Sequence, residues 1–426
     1  MFKDIINTIG ARYFVAFLNL LLIFINGKVL GREGMGMVGL IYASANLAVI
    51  FNSVLCGNTI IYFMNRYNLR YVFYPAYGWA FAGSAVSCGT MFFFNMLPAG
   101  YAMVVFALAV LISLVTANSQ MVLGKDNVKG FNMAYILQGI LMFLVLLYIY
   151  YIAECKSVEG YLAGLFLANL GAYVYSLILL IPHLRKREKV VAGTSFFKAL
   201  KEMFVYGIWS GADNLAEGLA TRLNYFLVKS AGGYGSVGLL DSGTKMSESV
   251  WHISNSVSYI EYNSVSKTTD RKEQKRVTLQ LFKLTCCALT AVMAVIACIP
   301  EWIFTGYLLT PEFAGIRKVI LALSFGIVAM GGNRILSHYF IGSGNIRYST
   351  FCSLFGLVVL LIAGFVLIPV SGVFGAALTS SIAYTSMLIF SLVVFMKKTG
   401  TSPYELIPLK EDWMTLRGKL RHRKNK

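Results

Sequence analysis

Long apolar stretches separated by short polar breaks run along almost the whole chain. Each stretch has about 20 residues, the length of helix that crosses the hydrocarbon core of a bilayer. Measured against that length, the sequence predicts about twelve spans. They lie at roughly 11–30, 37–63, 73–97, 101–122, 131–153, 160–181, 203–229, 237–260, 278–299, 318–341, 348–369 and 373–396. The pattern therefore predicts an all-α polytopic membrane protein.

The composition fits a protein whose main solvent is lipid. Hydrophobic residues make up 57% of the 426 residues and charged residues only 13%, about half the charged share of an ordinary soluble domain. The net charge of +18 would point to a nucleic-acid partner in a soluble protein. Here the basic residues occupy short loops between spans, so we expect no nucleic-acid partner and interpret these loops as topology signals that contact anionic lipid headgroups.

The lysines and arginines also predict the orientation of the chain. Most of the 37 Lys and Arg fall on one side when the N-terminus is placed in the cytoplasm. Because the number of spans is even, the C-terminus lies there too, and residues 397–426 form a basic cytoplasmic tail. The seven cysteines lie mostly in apolar segments and none has metal-ligand spacing with histidine. We therefore expect no disulfide, no metal and no other cofactor.

Short matches between the two halves of the chain predict an internal repeat. Leu-Gly-Lys-Asp-Asn-Val-Lys at 123–129 matches Ile-Gly-Ser-Gly-Asn-Ile-Arg at 341–347, and Val-Gly-Leu at 38–40 matches Val-Gly-Leu at 237–239. The order is the same in both halves, so we expect two six-span lobes, at 1–202 and 203–396. An even number of spans in each lobe makes the repeat parallel, with a central cavity between the lobes.

The eighth span carries polar and ionisable residues at a four-three-four-three-four spacing, which puts them on one stripe of a helix. They are Asp241, Lys245, Glu248, His252, Asn255 and Tyr259. Because a charge at the bilayer centre costs about 3 kcal/mol, the stripe cannot face lipid. The seventh span carries Asp213, Glu217, Arg222 and Asn224. Depth in the membrane matches Arg222 with Asp241, Glu217 with Glu248, and Asp213 with His252, and predicts pairing across the two helices.

Two interpretations of this stripe remain open. In the structural one, Asp241 and Lys245 form an ion pair within one helix that locks the second lobe. In the functional one, Arg222 and Lys245 bind an anionic headgroup, at about 3 kcal/mol per charge pair for 5 Å and an effective dielectric of 20, and His252 and Asn255 bind substrate beside them. Candidates for carrying a coupling H+ or Na+ are Glu217, Glu248, Asp213 and Asp241.

The first half is polar rather than charged. Asn46 and Asn52 of the second span suit sugar hydroxyls, but amides of this kind also hold helices together. We carry both as candidate substrate-binding residues. Arg334 and His338, near the inner end of the tenth span, are expected to extend to the membrane surface.

Three segments resemble a known family. Residues 28–40, the repeated Gly-x-x-Asn turns, and residues 237–246 (Val-Gly-Leu-Leu-Asp-Ser-Gly-Thr-Lys-Met) are similar to bacterial polysaccharide flippases of the O-antigen type, in the multidrug/oligosaccharidyl-lipid/polysaccharide exporter (MOP) superfamily. The resemblance implies two six-helix lobes around a polar cavity lined by spans 1, 2, 7 and 8. It implies a polyprenyl-diphosphate oligosaccharide as cargo, with Lys245 the residue carried over most directly.

The function we expect from the resemblance is translocation of a lipid-linked oligosaccharide across the bacterial cytoplasmic membrane by alternating access. Such a monomer would serve cell-surface polysaccharide assembly, with a polysaccharide polymerase as a candidate partner. A cation-coupled drug or small-metabolite exporter is the alternative. A membrane polysaccharide polymerase is disfavoured because the longest outer segment, 301–318, offers only Glu301 and Glu312 as acids. We therefore do not expect an enzyme.

Overall fold

The computed structural model describes residues 2–57, 59–64, 66–185, 195–267 and 270–406. These residues form helices and contain no strand. The helices are Phe2–Cys56, Thr59–Met64, Leu69–Phe93, Ala102–Gly124, Val128–Tyr151, Val158–Arg185, Phe196–Glu248, Trp251–Lys267, Arg271–Cys298, Glu301–Ile303, Ile316–Gly342 and Arg347–Thr399, with a π-helical turn at Phe304–Leu308 and 3-10 turns at Pro311–Phe313 and Pro403–Leu406. The all-α prediction is confirmed.

Three of these helices are too long to be single spans, and each reverses at one glycine with a positive φ. The φ angles are 65° at Gly31, 69° at Gly233 and 55° at Gly372, a region that L side chains avoid and glycine enters freely. Leu22 therefore packs in one core cluster with Ile41. The described residues then hold twelve spans, as predicted. We call the membrane face with these three glycines the hairpin end, and the opposite face the basic end.

Apolar composition alone does not identify every span. Seven described helices are long and apolar enough to cross a membrane, and two of the seven are double spans of 53 residues. Leu69–Phe93, which is span 3, is not among them, and neither are residues 196–267, which form spans 7 and 8 and carry the polar and charged stripe. Span 8 is also interrupted between Glu248 and Trp251. Its polarity is tolerated only where a helix lines a cavity or packs on protein.

The six spans of each half form a lobe with its own core. In the first lobe, one apolar cluster holds Val54, Val72 and Leu114 and another holds Cys88 and Leu146. The largest cluster belongs mainly to the second lobe but includes Met35, Leu40 and Leu47 of span 2. The lobes are therefore joined through the hairpin between spans 1 and 2. Residues 186–194, between spans 6 and 7, and residues 407–426 of the predicted tail lie outside the described residues.

The two lobes meet at a pair of equivalent glycines. A Cβ at Gly36 would collide with the carbonyl oxygen of Tyr234, and a Cβ at Gly238 would collide with the carbonyl oxygen of Arg32. Gly31 and Gly233 are 202 residues apart, as are Gly36 and Gly238. The sequence match of 38–40 with 237–239 is therefore three residues out of register with the structural repeat. Val-Gly-Leu is too short to fix the register, whereas the backbone contact between the lobes fixes it.

The two Gly-x-x-Asn turns have one geometry. Asp126 and Gly344, at the same position of the repeat, have φ angles of 60° and 77°. Their backbone N–H groups donate to the carbonyls three residues earlier, Leu123 at 2.9 Å and Ile341 at 3.1 Å. These turns end spans 4 and 10 at the basic end, so corresponding spans run in the same direction. The prediction of two six-helix lobes related by a parallel repeat is confirmed.

Candidate functional site

A cavity of about 740 Å³ lies between the lobes, and we call it the central cavity. Spans 1, 2, 7 and 8 line it, as predicted, and spans 4, 5, 6 and 10 contribute as well. From the first lobe come Asn19, Asn26, Tyr42, Ser113, Thr116, Tyr135, Gln138, Tyr161 and Asn169, among others. From the second come Asn214, Glu217, Thr221, Arg222, Lys245, Glu248, Ser249, Trp251, His252, Asn255 and Arg334.

The hairpin end of the central cavity is closed. The glycine contacts bring the two hairpins together there, and the segment between spans 9 and 10 covers them. Arg32 donates from its backbone N–H to Glu312 Oε2 at 2.9 Å and from Nε to the carbonyl of Gly235 at 2.7 Å. Leu309 lies against Gly27, where a Cβ would not fit. The two lobes are thus tied at this end by backbone contacts and a few exposed polar bonds.

Toward the basic end the lobes contact each other differently on their two sides. Spans 2 and 7 pack backbone to backbone, since a Cβ at Gly207 would collide with the carbonyl of Val54. Spans 1 and 8 meet through the rings of Tyr13 and His252, whose centroids are 6.4 Å apart. His252 thereby sits on the cavity wall next to span 1.

Arg222 and Glu248 form a two-pronged ion pair on the cavity wall. The guanidinium donates from Nη1 to Oε1 at 3.1 Å and from Nη2 to Oε2 at 2.7 Å. This geometry is the strong form of an arginine–carboxylate contact. Pairing across spans 7 and 8 does occur, but the partner predicted from membrane depth, Asp241, is wrong. The position of a residue along the membrane normal does not give the direction of its side chain around the helix axis, and it is this direction that brings Arg222 to Glu248.

Lys245 and Asp241 form the ion pair expected within span 8, at 2.7 Å. The two partners differ sharply in exposure: the side chain of Asp241 is 1% exposed and that of Lys245 is 26% exposed. Asp241 is wedged against Gly39, where a Cβ would lie 2.8 Å from the carboxyl carbon. The carboxylate of Asp241 is therefore buried beneath the cavity lining. The ammonium of Lys245 faces the cavity, 5.8 Å from the centroid of the Tyr42 ring.

A third cation comes from span 10. Arg334 lies 3.5 Å from Glu217, donates to the side-chain oxygen of Asn255, and stacks 4.4 Å above the ring of Trp251. The expectation that Arg334 extends to the membrane surface is wrong, because three partners in the cavity hold it. The match of Glu217 with Glu248 that membrane depth predicted is also wrong, because Glu217 pairs with Arg334 of span 10.

Asp213 does not line the central cavity. Its two carboxylate oxygens accept hydrogen bonds from Ser349 at 2.9 Å and Ser353 at 2.8 Å, both on span 11. The predicted match of Asp213 with His252 is wrong, since Asp213 faces the interior of the second lobe. The side chain of Tyr259, the last residue of the predicted stripe, lies outside the described residues.

The two candidate amides of span 2 differ. Asn52 is buried inside the first lobe, where its amide donates to the hydroxyls of Ser84 and Ser113, both at 2.8 Å. It holds spans 2, 3 and 4 together and does not line the cavity. Asn46 is half-buried and is also absent from the lining. Of the two interpretations offered for these amides, helix packing describes the position of Asn52.

Several polar residues inside the membrane-spanning helices were missed by the sequence interpretation. Gln138 of span 5 and Asn169 of span 6 line the cavity and are bonded to each other at 2.8 Å. Both are amides in the middle of apolar runs, so the sequence alone could have identified them as candidates. Glu261 is fully buried near the basic end of span 8, and neither of its oxygens has a hydrogen-bond partner within the described chain. The described residues contain no group of three or more His, Cys, Asp or Glu able to hold a metal.

No family model matches this sequence, and no curated protein matches it. Solved structures match over nearly the whole chain. An inward-facing multidrug resistance MATE family transporter of the MOP superfamily covers 91% of this chain and 94% of its own, with 16% identity and a TM-score of 0.68. The lipid II flippase MurJ in an inward closed conformation covers 93% of this chain and 87% of its own, with 14% identity and a TM-score of 0.69.

A third match is a MOP superfamily transporter from Pyrococcus furiosus, described by the reverse polarity of its binding pocket. It covers 93% of this chain and 94% of its own, with 17% identity and a TM-score of 0.56. At such identities the likeness establishes the fold, which is the two-lobe fold of MOP superfamily transporters. The expected superfamily fold is confirmed, and the narrower class of O-antigen flippases stays a prediction.

Proposed function

We propose that this chain is a flippase that moves a polyprenyl-diphosphate-linked oligosaccharide across the bacterial cytoplasmic membrane for cell-surface polysaccharide assembly. The observation that carries the proposal is the set of three cations on one wall of the central cavity: Arg222, Lys245 and Arg334. A charged residue inside a membrane protein is energetically costly, so its presence in a buried cavity marks an ion or substrate pathway. Three cations together suit a ligand with more than one negative charge.

The carboxylates beside these cations allow binding to be reversible. Each cation is held in place by Glu248, Asp241 or Glu217. A diphosphate entering the cavity exchanges one carboxylate contact for a phosphate contact, at about 3 kcal/mol per pair at 5 Å and an effective dielectric of 20. Because the protein pair re-forms when the ligand leaves, the net cost of release stays small. The same carboxylates are the candidates for taking up a coupling H+ or Na+ while their cation is engaged.

The closed hairpin end supports an alternating-access cycle. Opening toward that end requires separation of Gly36 from Tyr234 and rupture of the Arg32 bonds to Gly235 and Glu312. These bonds are few and partly exposed, so each contributes only about 0.5–1.5 kcal/mol. One elementary charge moving down 100 mV supplies about 2.3 kcal/mol. A single coupled cation is therefore of the right size to drive the change between states.

A cation-coupled drug or small-metabolite exporter is the second candidate. The volume of about 740 Å³ lies within the range of about 300–1,000 Å³ that encloses a drug-sized ligand, and MATE transporters share the fold. The cationic wall does not suit the cationic compounds that a carboxylate-lined pocket would favour. The two candidates therefore differ in the charge of the cargo.

Transport by the purified protein tests the proposal. We expect proteoliposomes to flip a fluorescent farnesyl-diphosphate-linked disaccharide, measured by dithionite quenching, and the variant Lys245→Ala with Arg222→Ala to lose at least tenfold in rate. That variant leaves the carboxylates of Asp241 and Glu248 without their cations. A neutral variant, Arg222→Gln with Glu248→Gln, therefore serves as the second probe, and we expect it to fold and also to lose flipping. Lys229→Ala, a cation of span 7 outside the cavity lining, is the matched control. An unchanged rate in both cavity variants contradicts the proposal, and so does extension or cleavage of the sugar without movement.

A further inference from the structure

The two walls of the central cavity differ in the charge of the residues that line them. Every charged residue of the lining belongs to the second lobe: Glu217, Arg222, Lys245, Glu248 and Arg334. The first lobe contributes amides, tyrosines and apolar side chains to the lining, and no charged residue among those described. A ligand that bound only through negative charge would use one wall and leave the other without a role. The contrast therefore calls for a ligand with two chemically distinct parts.

Some polar groups on the first-lobe wall are paired within the protein, since Asn26 accepts from Tyr150 and Thr116 donates to the carbonyl of Ile112, but four others are free to bind. Within the described chain, no hydrogen bond is made by the amide of Asn19 or by the hydroxyls of Tyr42, Tyr135 and Tyr161. Two of these lining tyrosines have well-exposed side chains, Tyr42 at 38% and Tyr135 at 37%. Since polar groups inside a protein are almost always paired, their freedom is explained by water or a ligand in the cavity.

Two amides of the same lobe that point away from this wall make hydrogen bonds, although the buried side-chain atoms Thr59 Oγ1, Trp79 Nε1 and Gln120 Oε1 have no hydrogen-bond partner within the described chain. Asn118 accepts a hydrogen bond from the hydroxyl of Tyr77 at 2.8 Å, and Asn52 donates to two serines. Asn169, at the edge of the wall, donates to the carbonyl of Leu165 and accepts from Gln138, both at 2.8 Å. Asn169 thus orients the amide of Gln138 and leaves the Gln138 oxygen to accept another bond.

We infer that Asn19, Tyr42, Tyr135, Gln138 and Tyr161 form a glycan-binding wall on the first lobe, opposite the cations that take the diphosphate. This inference rests on the proposed function and specifies which lobe holds the sugar. Sugar hydroxyls need both donors and acceptors without net charge, which amides and phenols supply. The C–H faces of a pyranose ring pack on aromatic rings, which combine an apolar face with a polar edge.

The position of Tyr42 links the two parts of the ligand. Its ring lies 5.8 Å from the ammonium of Lys245, so a diphosphate at Lys245 places the first sugar against Tyr42. The ligand then bridges the lobes, with its anionic part on the second and its glycan on the first. Specificity for the sugar accordingly resides in spans 1, 2, 5 and 6.

Binding of two probes to the full-length protein in nanodiscs tests this division. The probes are farnesyl diphosphate and a farnesyl-diphosphate-linked disaccharide, compared by titration calorimetry. The variant combines Asn19→Leu, Tyr135→Phe and Tyr161→Phe, each of which removes a polar group that bonds no other protein group and so leaves the fold intact. We expect the variant to bind the disaccharide-linked probe at least tenfold more weakly and farnesyl diphosphate as before. Tyr148→Phe, on span 5 with a side chain 57% exposed outside the cavity, is the control and should change neither.

The outcomes separate the inference from the function on which it rests. Equal binding of the two probes by the unaltered protein, or an equal loss of both in the variant, overturns the glycan wall while leaving a diphosphate-binding flippase. If the unaltered protein binds neither probe, the proposed function itself fails. A selective loss of the disaccharide-linked probe supports both.

Discussion

Lys245 and Arg222 share an arrangement in which the cation faces the cavity and its carboxylate partner is more enclosed. Asp241 is 1% exposed behind Lys245, and Glu248 is 12% exposed against 21% for Arg222. A structural ion pair and a substrate-binding cation were two alternatives in the sequence. In the folded protein the ion pair uses only part of the hydrogen-bonding capacity of each cation, so the ion pair is compatible with the proposed binding of substrate by the same residue.

Removal of one partner of the Arg222–Glu248 pair is predicted to be worse for stability than removal of both. Arg222→Gln alone leaves a carboxylate enclosed without its cation, which costs up to about 3 kcal/mol, whereas Arg222→Gln with Glu248→Gln replaces the pair by two neutral amides that can bond each other. Thermal melting in detergent should show a lower melting temperature for the single variant and recovery in the double variant. Equal melting temperatures in the two variants would falsify this account of the pair.

At the scale of elements, glycines decide where the lobes can touch. The hairpins turn at Gly31 and Gly233 through positive φ angles, and spans 2 and 8 cross at Gly36 and Gly238 with backbone against backbone. Two backbones approach this closely only where no Cβ intervenes. The closed hairpin end therefore depends on a few residues without side chains more than on the charged residues nearby.

Gly36→Ala is predicted to destabilise the closed hairpin end, because the added methyl meets a backbone carbonyl that cannot rotate away. Gly89→Ala, four residues before the end of the helix Leu69–Phe93 and with nothing within 4 Å of its Cβ position, is the matched control and should gain up to about 1 kcal/mol from helix propensity. Melting curves of the two purified variants should shift in opposite directions. Similar shifts of the melting temperature in the two variants would show that a methyl group at Gly36 does not destabilise the crossing of spans 2 and 8.

At the scale of the whole molecule, the repeat gives the lobes equal folds but different chemistry. Both lobes have six spans, the same Gly-x-x-Asn turn geometry and matching hairpins, yet all charged residues of the cavity lining come from the second. The fold thus provides two similar bodies in contact at the glycine crossing, which the proposed alternating-access cycle would separate. The side chains on each inner wall then determine what is carried.

Orientation in the membrane is a prediction at the same scale. With the hairpin end outside, Cys155, which is exposed in the turn between spans 5 and 6, should react in intact cells with a membrane-impermeant maleimide. The test uses a variant that keeps Cys155 and replaces the other six cysteines. A cysteine introduced at exposed Ser402 in the fully cysteine-free chain should react only after the membrane is opened. The reverse labelling pattern would invert the predicted topology.

The sequence by itself determined the number of spans, the parallel repeat and the charged stripe of span 8. Membrane thickness sets the length of each apolar run, and a helix maps a four-three spacing to one face, so both features are local in the chain. The turn at 123–129 and its match at 341–347 were equally local, since Asn and Gly positions fix the turn geometry.

Only the tertiary structure decided which charges meet. Arg334 is 112 residues beyond Arg222 in the chain, and it lines the same cavity because span 10 packs beside spans 7 and 8. Asp213 turns to span 11 and Asn52 to spans 3 and 4, although each looked like a cavity residue in one helix. The sequence showed that the first half is polar rather than charged, but it did not show that spans 5 and 6 join the cavity wall, because no local spacing encodes that packing.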